Sequence, residues 1–205
     1  MVVEVLEEEG LVDSQYIMKT KSKTLLLTVL VLVLSIGVVA SVNNSLIRKE
    51  IAIETRYADV DTAYRLRSNK ISQIVDVVGL QVKHEEKVFI SLAEARTGLD
   101  KALKEKDTQS IIESNKELTQ GLNSIIVSVE AYPELASSQS FITLIDEISG
   151  AENRINYAIT EYNTSVSKYN MSIKTFPTSL IANMLNHTTK DMLISNETER
   201  PNIDF

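Results

Sequence analysis

The sequence predicts an all-α protein: an N-terminal transmembrane helix followed by an antiparallel four-helix bundle. Three observations carry this expectation. Residues 24–42, TLLLTVLVLVLSIGVVASV, form an uncharged run about as long as a helix needs to cross a hydrocarbon core. No proline interrupts the chain between that run and Tyr132. Beyond it, apolar residues recur in alternating steps of three and four, the spacing of packed helices rather than of strands.

The elements follow in order. Residues 1–23 carry 3 basic and 5 acidic residues, including Glu7-Glu8-Glu9, and read as a short acidic tail without fixed structure. The run 24–42 exceeds the usual 7–15-residue core of a cleavable signal peptide, so it reads as an anchor that is retained; Val38-Val39-Ala40 would suit cleavage after Ala40. Lys19, Lys21 and Lys23 lie closer to the run than do Arg48, Lys49 and Arg56. That asymmetry favours a cell-membrane protein with its N-terminus in the cytoplasm and its long domain outside. The lipid bilayer is thus the first partner, contacted through residues 24–42.

The first bundle segment spans about 46–78, with a seam of Ile53, Tyr57, Val60, Tyr64, Arg67, Ile71, Ile74 and Val78. The second, about 80–104, shows Val82, Glu85, Phe89, Leu92, Arg96, Leu99 and Leu103. The third, about 108–131, shows Ile111, Asn115, Leu118, Leu122, Ile125, Val129 and Tyr132. The fourth, about 138–176, runs Phe141, Ile145, Ile148, Glu152, Ile155, Ile159, Tyr162, Val166, Tyr169, Ile173 and Phe176. Breaks are marked by Gly79, by Asp107 as an N-cap, and by Tyr132-Pro133 with Ser137-Ser138. Gly79 is the weakest, because a lone glycine is tolerated within a helix. The bundle domain is taken as 46–185 and the remainder, 186–205, as a polar tail.

Polar residues on these seams need partners, because burying them alone is costly. In an up-down bundle Arg67 and Glu152 both fall about 35 Å from the membrane end, at 1.5 Å per residue. They are expected to face each other as a buried ion pair, read as fixing register rather than as a buried ligand or ion site. Arg96 and Asn115 make a similar expected pair across the 104–108 turn. Tyr162-Asn163 and Tyr169-Asn170 are seven residues apart, so the tyrosines share a seam and the asparagines a flank. The tyrosines read as core rings and the asparagines as ties to neighbouring helices, in preference to a polar stripe that binds a partner helix.

No catalytic constellation is apparent. His84-Glu85 begins an HExxH motif, but residue 88 is Val. The chain has no Cys, two His and six scattered Gly, so thiolate chemistry, a metal triad and a phosphate cradle are not expected. A net charge of −7 argues against nucleic acid. No cofactor is expected, and the chain is read as non-enzymatic.

A resemblance sharpens this picture. Tyr132-Pro133-Glu134-Leu135, Phe141, Glu152-Asn153-Arg154-Ile155, Tyr162-Asn163, Tyr169-Asn170 and Phe176-Pro177 together resemble the LemA family. Arg67, His84-Glu85 and Ala95-Arg96 fit the same pattern, as does the ending Pro201-Asn202-Ile203-Asp204-Phe205. The likeness covers about 46–205. Two stretches depart from it: Asn69-Lys70-Ile71-Ser72-Gln73-Ile74-Val75 lacks the family's acid and proline, and Asn186-His187-Thr188 stands where an aromatic patch is usual. The resemblance implies a single-span membrane protein with a helical-bundle domain and no defined activity. Residues and resemblance together suggest a scaffold or adaptor for another membrane or envelope protein. The alternative is an extracytoplasmic bundle that senses a small ligand.

Overall fold

The computed structural model describes residues 2–79 and 86–193. All regular structure among them is helical: α1 (Val2–Gly79), α2 (Glu86–Glu105), α3 (Thr108–Val129), α4 (Pro133–Ala136), α5 (Gln139–Lys174) and α6 (Thr178–Met184). The tail, the apolar run and the first bundle segment are therefore one helix. The expected unstructured tail differs from this. Residues 2–42 contain no proline and only two glycines, Gly10 and Gly37, so nothing in them breaks a helix. α1 is described as far as Gly79; the break expected there borders residues 80–85, which lie outside the described residues.

The chain divides into two compact units. The first holds α1 up to Arg48 together with Ser172–Thr188. Here the apolar side chains from Leu25 to Val38 are all exposed, for example Leu26 at 67% and Leu34 at 60%. By length and composition this one N-terminal helix is able to cross a membrane. Within the same unit, Leu46 and Ala182 are buried, and His187 Nε2 lies 3.3 Å from Asn43 Oδ1. The Phe176–Pro177 peptide is cis, and Pro177 precedes the short helix α6.

The second unit holds Lys49–Met171 and the chain from Thr189 onward. Its core is one cluster fed by α1, α2, α3, α4 and α5. Every predicted seam position of the first segment, Ile53 through Val78, is buried. So are Ile111, Leu118, Leu122, Ile125 and Val129 on α3, and Phe141 through Ile159 at the apolar seam positions of α5. Periodicity thus located the buried stripe on three of the four helices, because a 3.6-residue repeat forces one face inward.

α2 departs from expectation. Its buried stripe is Leu92, Ala95, Leu99, Ala102 and Leu103, and Arg96 is exposed. The cause is close approach to α3. A Cβ placed on Gly121 would lie 2.5 Å from Leu92 Cδ2, and one on Gly98 would lie 2.9 Å from Ser114 Oγ. Alanine fits such a seam and arginine does not. At the other end of the predicted series, Phe176 is not a core residue but 76% exposed, beyond the end of α5.

The turns obey local chemistry. Lys106 adopts a left-handed conformation (φ 56°) and closes α2, with Asp107 N–H donating to Ala102 O at 3.0 Å. Asp107 caps α3 by accepting from the backbone N–H groups of Gln109 and Ser110. Tyr132 precedes Pro133, the first residue of α4, where its missing N–H costs nothing.

Candidate functional site

Among the described residues of the second unit, the most heavily buried charge is Arg67, 1% exposed in the middle of the α1 seam. Its Nε lies 2.8 Å from Glu152 Oε2 on α5. This is the ion pair expected from register. The N–H does not point along that line, so the contact is Coulombic rather than a hydrogen bond. The other guanidinium nitrogens donate to Asn115 Oδ1 at 2.7 Å and Thr119 Oγ1 at 2.8 Å, both on α3. Asn115 therefore pairs with Arg67, not with Arg96 as expected. Three helices meet at one guanidinium. Burial lowers the affinity of Arg67 for its proton, while the charges of Glu152 and Tyr64 act the other way. Burial also pushes the Tyr64 hydroxyl up to about 12, with Glu152 adding to the effect. Nearby, the Ser68 hydroxyl is buried without a hydrogen-bond partner.

Arg96 lies on the outside of α2 and reaches back to α1, donating to Ser72 Oγ at 2.8 Å and Asn69 Oδ1 at 2.9 Å. Both acceptors fall in the stretch that departs from the LemA pattern. A cleft of about 130 Å³ beside them is lined by Ile71, Val75, Phe89, Leu92 and Arg96.

The two Tyr-Asn pairs on α5 do something the sequence reading missed. The asparagines do not tie to a helix; they hold the chain's own C-terminal segment. Asn170 donates to Lys190 O at 2.8 Å and accepts from Lys190 N–H at 2.9 Å. Asn163 repeats the pattern with Leu193, at 2.7 and 2.9 Å. Tyr162 donates its hydroxyl to Asp191 O at 3.2 Å and packs its ring edge-on to Tyr57, 5.8 Å between centroids. Tyr169 is fully buried and donates to Glu50 Oε1 at 2.9 Å; burial, then this bond, raises its pKa. Leu193 is 6% exposed and belongs to the core cluster. Of the stretch expected to be a polar tail from 186, residues 190–193 are thus held on α5. The usable signal was the seven-residue repeat of Asn, together with Leu193 as an apolar residue in a polar stretch.

The remaining predicted residues are dispersed. Tyr132 is half-buried, and Pro133, Asn153 and Arg154 are exposed. Phe176 and Pro177 lie in the other unit. His84 and Glu85, like Pro201–Phe205, lie outside the described residues. Among the described residues, no three His, Asp or Glu side chains gather closely enough to hold a metal ion.

A family model for LemA matches residues 56–205. The chain belongs to the LemA family. The matched region contains Arg67, Glu152 and both Tyr-Asn pairs of this LemA chain, and begins beyond its apolar run. No curated protein matches the chain.

Proposed function

We propose that this LemA-family chain is a single-pass membrane protein whose helical domain acts as a scaffold or adaptor for another membrane or envelope protein, without catalysing a reaction. The observation that carries the reading is the run of exposed apolar side chains from Leu25 to Val38, continuous in one helix with a segment whose seam is buried in a packed core. Exposed apolar surface of that extent is unfavourable in water and favourable in a bilayer. Residues 49–171 fold in this proposal as an antiparallel four-helix bundle, with α1, α2, α3 and α5 as its four rods. The three lysines at 19, 21 and 23 orient the N-terminus to the cytoplasm and the bundle outside.

Support for an adaptor rather than a ligand sensor comes from how the polar groups are used. The buried guanidinium of Arg67 is already engaged by Glu152, Asn115 and Thr119 and so is not held open for a ligand. The test uses the natural absence of cysteine. A single Cys replaces Ser140, an exposed residue near the start of α5, and intact cells are treated with a membrane-impermeant maleimide. Labelling in intact cells supports an external bundle. Labelling only after lysis overturns the orientation. Crosslinking from the same position should return a reproducible membrane or envelope partner; repeated failure to find one argues against the adaptor.

A further inference from the structure

The contacts between α5 and residues 189–193 have the geometry of a peptide-binding site. Seven residues of helix advance about 10.5 Å, and three residues of nearly extended chain advance about 10 Å. Asn163 and Asn170 are seven apart; Leu193 and Lys190 are three apart. Each asparagine amide therefore meets a backbone N–H and C=O of one residue, donating to one and accepting from the other. These four bonds read main chain, not side chain. The segment runs antiparallel to α5, since Lys190 is at Asn170 and Leu193 at Asn163.

Side chains add selectivity at the same two positions. Lys190 lies 3.4 Å from Glu50 and over the Tyr169 ring, while Leu193 enters the core. Thr189, Lys190, Asp191 and Met192 are otherwise exposed. The site thus selects an extended segment with a cation and, three residues later, an apolar side chain.

We propose that the Asn163–Asn170 pair is a binding site for extended peptide, that residues 189–193 are its resident occupant, and that a partner's Lys-x-x-Leu segment docks by taking their place. The inference deepens the adaptor reading by stating the partner's chemistry, and rests on that reading only for the partner's existence. A tethered occupant competes at an effective concentration of roughly millimolar, so the intact chain is self-blocked. Opening the site requires weakening the resident segment.

The test uses the full chain in detergent and a fluorescein-labelled synthetic peptide of residues 187–193, HTTKDML. Leu193→Asp in the protein removes the apolar anchor of the resident segment and leaves both asparagines in place. The peptide should bind this variant at least about tenfold more tightly than the unaltered chain. Adding Asn163→Ala and Asn170→Ala should abolish that binding, as should alanine for both Lys and Leu in the peptide. If Leu193→Asp loses helix content, Lys190→Glu serves instead, because its side chain is exposed and its new charge faces Glu50. No binding to a folded variant at about 1 mM peptide, or binding indifferent to the asparagines, overturns the proposal. Peptide binding without a crosslinked partner would keep the site and remove the adaptor; a crosslinked partner without peptide binding would do the reverse.

Discussion

Replacing Glu152 with Gln should destabilise the helical domain more than any other isosteric change at its surface or core. The substitution keeps size and removes one charge. It leaves the Arg67 guanidinium, 1% exposed, without its counter-ion. Breaking a buried pair from one side typically costs about 3–5 kcal/mol, because the stranded charge is neither solvated nor paired. Two features of this site reduce the figure. Glu152 is 16% exposed, so its carboxylate is less than fully desolvated even though Oε2 itself is buried. Asn115 and Thr119 continue to accept from Arg67 after the change. The expected cost is therefore about 2–4 kcal/mol, equivalent to about 5–15 °C in Tm for a chain of this size. The assay is thermal and urea unfolding of the full chain in detergent, followed by circular dichroism. Arg67→Met, which fills the same space without charge, completes a double-mutant cycle with Glu152→Gln. The double variant should lose about 1–3 kcal/mol less than the sum of the singles, as coupled neighbours do. A loss below about 0.5 kcal/mol for Glu152→Gln, or strict additivity in the cycle, would refute the claim that this pair carries the energetic load of the layer.

Further expectations follow from the same geometry. Gly121→Ala should cost about 1–3 kcal/mol despite alanine's better helix propensity, since its Cβ meets Leu92 at 2.5 Å; Gly37→Ala, with nothing within 4 Å, should be neutral in the same unfolding assay. Asp107→Ala removes the acceptor for two N–H groups at the start of α3 and should lower the Tm in the same assay. Raising pH should destabilise the fold between about 10 and 12: unfolded tyrosine ionises near 10, whereas buried Tyr64 holds its proton up to about 12, so in that window the unfolded chain binds fewer protons. Tyr64 alone contributes on the order of 2–3 kcal/mol, fully present below pH 10 and lost as pH rises through 12; Tyr64→Phe should flatten that part of the pH–stability curve. Asn170→Ala should speed hydrogen exchange at the Lys190 amide by at least about tenfold, and an unchanged rate would mean that this bond does not restrain the segment.

Much of the architecture is legible along the chain because helices repeat every 3.6 residues. Apart from Phe176, the apolar seam positions of α1, α3 and α5 are wholly or partly buried where periodicity put them, and the apolar run from Leu25 to Val38 is exposed in the isolated chain. Counting 1.5 Å per residue even matched Arg67 with Glu152 from segments 85 residues apart. The same arithmetic failed for Arg96. On α2 the steps 92-96-99-103 and 92-95-99-102 fit the sequence almost equally well, and alanine is an ambiguous core residue. The choice between them was made by the distance between α2 and α3, which depends on Gly98, Gly121 and their opposite numbers Ser114 and Leu92. No local pattern contains that distance.

The C-terminal segment shows the other limit. Residues 187–193 have neither helical nor strand periodicity, and their composition is that of a solvated tail. They are held by side-chain amides whose partners are backbone groups, and every residue type carries those. Residue order alone is enough for the helical class, the uncharged run, the buried stripes of three helices and the Arg67–Glu152 layer, because each follows from composition or from the regular rise and repeat of a helix. Packing between helices settles which face of α2 is buried, that Asn115 serves Arg67, and that Asn163 and Asn170 grasp Leu193 and Lys190. Those outcomes are set by distances between elements remote in sequence, which no repeat along the chain encodes.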